Sequence, residues 1–155
     1  MYALASRIIG AAVFCVALLA GPTAACSIAV GTSGQLRLSG DGTTLGSEVS
    51  GTTPATVTTV LPLLSGVHVD VSAPTLSQSP GGYNSASQTL QVAYTAAVLG
   101  LLTVRTQAYT SGATSFPTGL LGAVTLTITL NNRILNTSGF QTGTYGTQTV
   151  VTCRP

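Results

Sequence analysis

The chain has 155 residues and very few charges. Only 5% of its residues are charged, whereas about 25% is usual for a globular protein. Its five basic residues are all arginines, they stand against three acidic residues, and they form no cluster. This pattern excludes nucleic-acid binding, which needs a basic surface.

Residues 1–25 have the order of a secretory signal peptide. Arg7 precedes an apolar run over 8–21, and Pro22 and small residues follow before Cys26. The apolar run is shorter than the roughly 20 residues of a membrane-spanning helix. We therefore expect cleavage after Ala25 and a single domain over 26–155, which is secreted, periplasmic or on the cell surface. An uncleaved N-terminal anchor is the alternative.

Two cysteines remain after Cys15 leaves with the signal peptide. They are Cys26 and Cys153, and an even pair in an exported chain predicts a disulfide. This bridge would hold the first and last strands together as neighbours. In the alternative, Ala24-Ala25-Cys26 is a bacterial lipoprotein signal and the protein is lipid-anchored through Cys26, which would leave Cys153 unpaired.

From Cys26 onward, apolar residues recur with a period of two, which is typical of half-buried strands. In 66–72 the alternation places His68 and Asp70 on the face opposite the valines. In 123–130 it places threonines on the outer face. The residues predicted to point inward in these two segments are Val67, Val69, Val71, Val124, Leu126, Ile128 and Leu130.

Turn residues separate these segments. Asp41-Gly42 and 80–82 (Pro-Gly-Gly) are turn signals. Asn131-Asn132 predicts a tight two-residue hairpin turn flanked by Leu130 and Arg133. The most apolar stretch, 92–104, predicts two central strands meeting near 95–97 or one long strand bent at Gly100, with a buried helix as the alternative.

Several short strands separated by turns predict an all-β fold, an immunoglobulin-like antiparallel β-sandwich. A small up-and-down β-barrel is the alternative. Tyr145, at the start of the last strand, is predicted to bury its ring and to hydrogen-bond the backbone through its hydroxyl, as in a tyrosine corner.

The C-terminal sequences VTLTITL and FQTGTYGTQTVVTC resemble the end of small exported bacterial β-sandwich proteins, among them the spore coat protein U-like and pilin-like groups. The resemblance covers residues 124–153 and implies an immunoglobulin-like fold with a surface or fibre role, without catalytic residues. Donor-strand pilins carry an N-terminal extension that completes a neighbour. A mature chain that starts at Cys26 is instead expected to be self-complete.

No catalytic, cofactor-binding or metal-binding residues are predicted. His68 and Asp70 share a strand face without a third ligand close in sequence, so a solvated outer face is expected. Asp41 and Glu48 are too few for a calcium cage. The loop around Asp41 lacks the glycine spacing and the lysine of a phosphate loop.

Two functions remain. The first is a non-enzymatic structural or adhesive surface protein that associates with itself or with other envelope proteins. The second is a glycan- or small-ligand-binding module of the cell envelope, in which Tyr83 and Tyr109 contact the ligand. Asn136-Thr137-Ser138 is a formal glycosylation sequon.

Overall fold

The structure is a computed structural model that describes residues 26–61, 66–99, 102–118 and 124–154. The predicted signal peptide and Gly100 lie outside the described residues. Within those ranges the regular secondary structure consists of twelve β-strands. They are β1 (Ser27–Val30), β2 (Arg37–Leu38), β3 (Thr44–Gly46), β4 (Ala55–Leu61), β5 (His68–Val71), β6 (Thr75–Gln78), β7 (Gln88–Val98), β8 (Leu102–Thr110), β9 (Thr114–Pro117), β10 (Val124–Asn136), β11 (Gly146–Gln148) and β12 (Val151–Arg154).

The first sheet is built around β10, a strand of 13 residues. On one side β10 pairs antiparallel with β7 over its C-terminal eleven residues. On the other side its first half pairs with β4 and its second half with β3. The remaining strands extend the sheet outward, because β1 pairs with β4, β2 with β3, and β8 with β7.

The second layer contains β12, β5 and β9, with β6 and β11 paired as a continuation of β5 and β12. Between these two sections, Ser72 and Val150 continue the pairing. The Ser72 amide donates to the Val150 carbonyl, and the Val150 amide donates to the Ser72 hydroxyl, each at 2.9 Å. The interruption occurs next to Pro74, which has no backbone N–H to donate.

The core lies between the two layers and has the predicted alternation. In 66–72 and 123–130, every residue predicted to point inward is buried, apart from Val124, which is half-buried and packs against the core. His68 and Asp70 lie on the opposite face of β5, as predicted. Burial of one face per sheet follows from the two-residue period of a strand. The protein is an all-β antiparallel sandwich, and the described strands are not closed into a barrel.

The predicted hairpin at Asn131-Asn132 is wrong, because β10 runs through both residues without a break. Asn131 and Asn132 are opposite Ala93 and Val92 of β7, so the backbone remains in the sheet. The Asn132 side chain points between the layers, where its amide donates to the Thr147 hydroxyl and its carbonyl accepts from Thr149, each at 3.1 Å. These contacts satisfy the polar groups that favour a turn in an isolated segment.

The apolar stretch 92–104 forms two antiparallel strands, β7 and β8, as predicted, and the helical alternative is wrong. Residues 95–97 lie inside β7, however, and the chain leaves β7 at Leu99, which has a φ of 51°. Pairing with β10 continues to Val98, so the strand extends beyond the predicted position of the turn.

Cys26 and Cys153 form the predicted disulfide, with Cα atoms 6.3 Å apart. The expectation that it joins two strands lying side by side is wrong. β1 and β12 are edge strands of different sheets, so the bridge ties the two layers together at one side of the sandwich. Because the Cys26 sulfur is bonded to Cys153, it is not free to carry a lipid.

Candidate functional site

Strand β8 extends beyond the second layer. β9 lies beneath β7, because the Tyr94 and Phe116 rings are 5.8 Å apart and the hydroxyls of Tyr94 and Thr114 are hydrogen-bonded at 2.9 Å. The disulfide places β12 beneath the opposite edge of the first sheet. The first five residues of β8 are therefore exposed, including Leu102 at 65% and Val104 at 40%.

The free edge of β8 is long and almost uncharged. Among the described strands β8 pairs only with β7, so one row of its backbone groups faces outward over nine residues. Its register with β7 is regular over 105–107 and shifts on both sides. The only charge of β8 is Arg105, whose Nη2 donates to the Gln107 Oε1 at 3.3 Å. Natural edge strands are usually protected by charges, proline or bulges; β8 has no proline, a single charge at Arg105, and register shifts on both sides of 105–107.

The opposite edge of the first sheet, β1, is also apolar but is only four residues long. Its Ile28 and Val30 side chains are 39% and 78% exposed. Both lie opposite inward-pointing positions of β4 and stay exposed on that face. The two edges thus differ mainly in length.

The outer face of the first sheet is a threonine surface without charge over its central part. Thr127 is opposite Thr58 of β4, and Thr129 is opposite both Thr56 of β4 and Thr95 of β7. β-Branched residues suit such a pleated surface, and cross-strand threonine pairs stabilise it.

At one end of the sandwich, Tyr145 makes the hydrogen bonds expected of a tyrosine corner. Its hydroxyl donates to the Gln141 carbonyl at 3.1 Å and accepts from the Gln141 amide at 3.0 Å. The ring packs edge-on against Phe140 and Tyr83, with centroids 5.4 and 5.0 Å away. Tyr145 directly precedes β11, the penultimate strand, so the prediction that it stands at the start of the last strand is wrong.

Tyr83 belongs to this aromatic group and folds back onto the domain. Its ring stacks on Phe140 with centroids 6.1 Å apart, and its hydroxyl accepts from the Asn136 amide at 2.9 Å. Asn136 is only 1% exposed, and its amide also donates to the Asn84 carbonyl. The sequon asparagine is therefore not accessible to a glycosyltransferase in the folded protein.

Tyr109 lies elsewhere, beneath Arg133 on the outer face of the first sheet. The Arg133 Cζ is 3.7 Å from the centroid of the Tyr109 ring, and its Nε donates to the Gln91 Oε1 at 2.8 Å. Burial raises the pKa of the Tyr109 hydroxyl, and the neighbouring Glu48 carboxylate raises it further. The face of the Tyr109 ring is thus occupied by a cation.

His68 and Asp70 do not form a site with a third ligand. Asp70 pairs with Arg154 of the neighbouring strand, with the Arg154 Nε 2.8 Å from its carboxylate. The Ser115 hydroxyl and then Arg154 lower the pKa of Asp70. No group of three or more histidines, cysteines and acidic residues suited to a metal ion occurs within the described ranges.

Comparison with family models, with curated proteins and with solved structures finds no match for this chain. In the described part of the chain, no helix is long and apolar enough to cross a membrane.

The structure separates the residues that the sequence grouped as ligand contacts. Tyr83 supports the aromatic corner with Tyr145, whereas Tyr109 supports Arg133. From the sequence, Arg133 is predicted only as the flank of a turn, so its place beside Tyr109 is not predicted. The register of β10 against β7 brings it next to Gln91, and no local pattern indicates that pairing.

Proposed function

We propose that this protein is a non-catalytic structural component of the extracellular or cell-surface environment and that it acts by self-association. Its disulfide fits an oxidising compartment. The proposal rests on β8, a strand of nine residues that has exposed aliphatic side chains and pairs with β7 alone among the described strands. An exposed apolar edge of this kind favours pairing with another strand.

The partner that fits β8 best is the β8 strand of a second copy. β1 offers only four residues for pairing, whereas β8 offers nine, with a regular central part over 105–107. Antiparallel pairing about a two-fold axis at Thr106 would place Arg105 opposite Gln107 of the second copy. No like charges are then directly opposite each other. Arg105 of one copy faces the Gln107 amide of the other, and within a single chain Arg105 already donates a hydrogen bond to the Gln107 amide oxygen.

A lysine at the two-fold axis tests this arrangement. Thr106→Lys would place two ammonium groups opposite each other, and we expect it to convert a dimer into a monomer. The oligomeric state is measured by sedimentation velocity and light scattering over a range of protein concentrations. Thr106 is exposed, so unchanged thermal unfolding of the monomer would show that the fold is intact.

The matched control is Val30→Lys, which introduces the same charge at the opposite edge. It should leave the dimer unchanged. If Val30→Lys and Thr106→Lys each abolish association, the contact instead joins β1 of one copy to β8 of the next. Such a head-to-tail contact generates open fibres. A wild-type protein that stays monomeric at every concentration would refute the proposal.

A further inference from the structure

Arg133 is held in one orientation on the outer face of the first sheet. The Nε hydrogen bond to Gln91 fixes one edge of its guanidinium, and the ring of Tyr109 supports its plane at 3.7 Å. Both partners come from neighbouring strands, β7 and β8. An arginine restrained in this way loses little further freedom when it binds a ligand.

The charge of Arg133 has no carboxylate partner within the described residues. The ion pair found there is between Arg154 and Asp70. Glu48 lies close enough to Tyr109 to raise the pKa of its hydroxyl, but in the described part of the chain it forms no ion pair with Arg133. Among the described residues, Arg133 donates its side-chain hydrogen bond through Nε, to Gln91. Its Nη1 and Nη2 groups therefore remain available to donate hydrogen bonds to a ligand.

A small groove of about 190 Å³ lies beside this guanidinium. Gly46 is directly opposite Arg133 on β3, and the absence of a side chain there leaves the groove open. The groove is lined by Arg133, Tyr109, Glu48 and Val49, among others. The groove therefore presents hydrogen-bond donors from a cation and acceptors from a carboxylate.

From this geometry we propose that the groove binds the carboxylate of an acidic sugar. The two Nη groups would hold the carboxylate through paired charge-assisted hydrogen bonds, and Glu48 would accept hydrogen bonds from the sugar hydroxyls. A groove of this size would contact one sugar unit, which could be free or part of a polymer. The ring of Tyr109 acts by positioning Arg133 and not by stacking on the sugar. All residues that line this site belong to one chain.

Titration with D-glucuronate, followed by NMR chemical shifts at physiological salt, tests the site. We expect wild-type protein to bind glucuronate and not D-glucose, which has the same ring without the carboxylate. Arg133→Gln should weaken binding by about tenfold or more, because hydrogen bonds to charged groups are lost. Arg133→Lys should weaken it similarly, because a lysine cannot form the paired contact.

Arg105→Gln is the matched control, since it removes an exposed arginine of the adjacent strand β8. It should leave the affinity unchanged, and so should the Thr106→Lys variant. An equal loss of affinity in Arg105→Gln and Arg133→Gln would indicate non-specific attraction and refute the site. The assignment to an acidic sugar would be refuted by any of three results. These are equal binding of glucose and glucuronate, no binding of glucuronate, and tighter binding of the free amino acid glycine than of glucuronate.

Discussion

Removing the disulfide should destabilise the fold without changing the interior packing. Cys153→Ser breaks the link between β1 and β12, the edge strands of two different sheets. Both cysteines are only half-buried, and serine is close to cysteine in shape. The Thr59 hydroxyl, 2.8 Å from the Cys26 sulfur, remains as a polar partner on the same side of the core. The main loss is therefore the covalent link itself.

The magnitude follows from the 127 residues that separate the two cysteines. The chain-entropy relation for a loop of this length gives about 5 kcal/mol at 25 °C, and losses of native bridges are commonly about 2–5 kcal/mol. In a domain of this size, each kcal/mol corresponds to about 3 °C in Tm. We therefore expect Tm to fall by roughly 6–15 °C.

Urea unfolding followed by circular dichroism, without reductant, measures this loss. Cys26→Ser, Cys153→Ser and the double variant should have the same midpoint, because each removes the same bridge. The dependence of the unfolding free energy on urea should also become steeper, since the unlinked denatured chain is more expanded. Thr59→Val is the control that alters the polar surroundings of the sulfurs and keeps the bridge.

A midpoint that does not change in the cysteine variants would refute this reasoning. It would mean that the two layers are held at this edge by packing alone. An unchanged urea dependence together with lower stability would point to lost native contacts and not to the denatured chain.

Two further variants test the packing and the electrostatics. Ile128→Ala, at a fully buried position, should lower the free energy of unfolding by about 2–5 kcal/mol. Thr127→Ala, on the outer face, should lower it by less than about 1 kcal/mol. Comparable losses for the two variants in urea unfolding would contradict the assignment of the two faces. Because Ser115 and Arg154 lower the pKa of Asp70 below its ordinary 3.8, its stabilising contribution is complete above that pH and is lost as the pH falls further. Asp70→Asn should therefore reduce the drop in Tm on acidification below about pH 4, and an identical acid profile in the variant would argue against this role.

Local patterns were sufficient to predict the fold class. In 66–72 and 123–130 the alternation of apolar and polar residues assigned the buried faces correctly, because side chains of a strand alternate between its two faces. The turns at Asp41-Gly42 and 80–82 were also predicted correctly, since Gly42 and Gly82 adopt the positive φ that glycine tolerates. The cysteine pair required only the prediction that the chain is exported.

Long-range pairing decided the features that the sequence did not reveal. Asn131-Asn132 has turn propensity, but β10 is paired on both sides and its polar groups bond to distant residues, so the strand continues. The same register places Arg133 between Gln91 and the Tyr109 ring. The exposure of β8 depends on the second layer ending beneath β7. The relative width of two sheets is a tertiary property, and no segment of the chain encodes it locally.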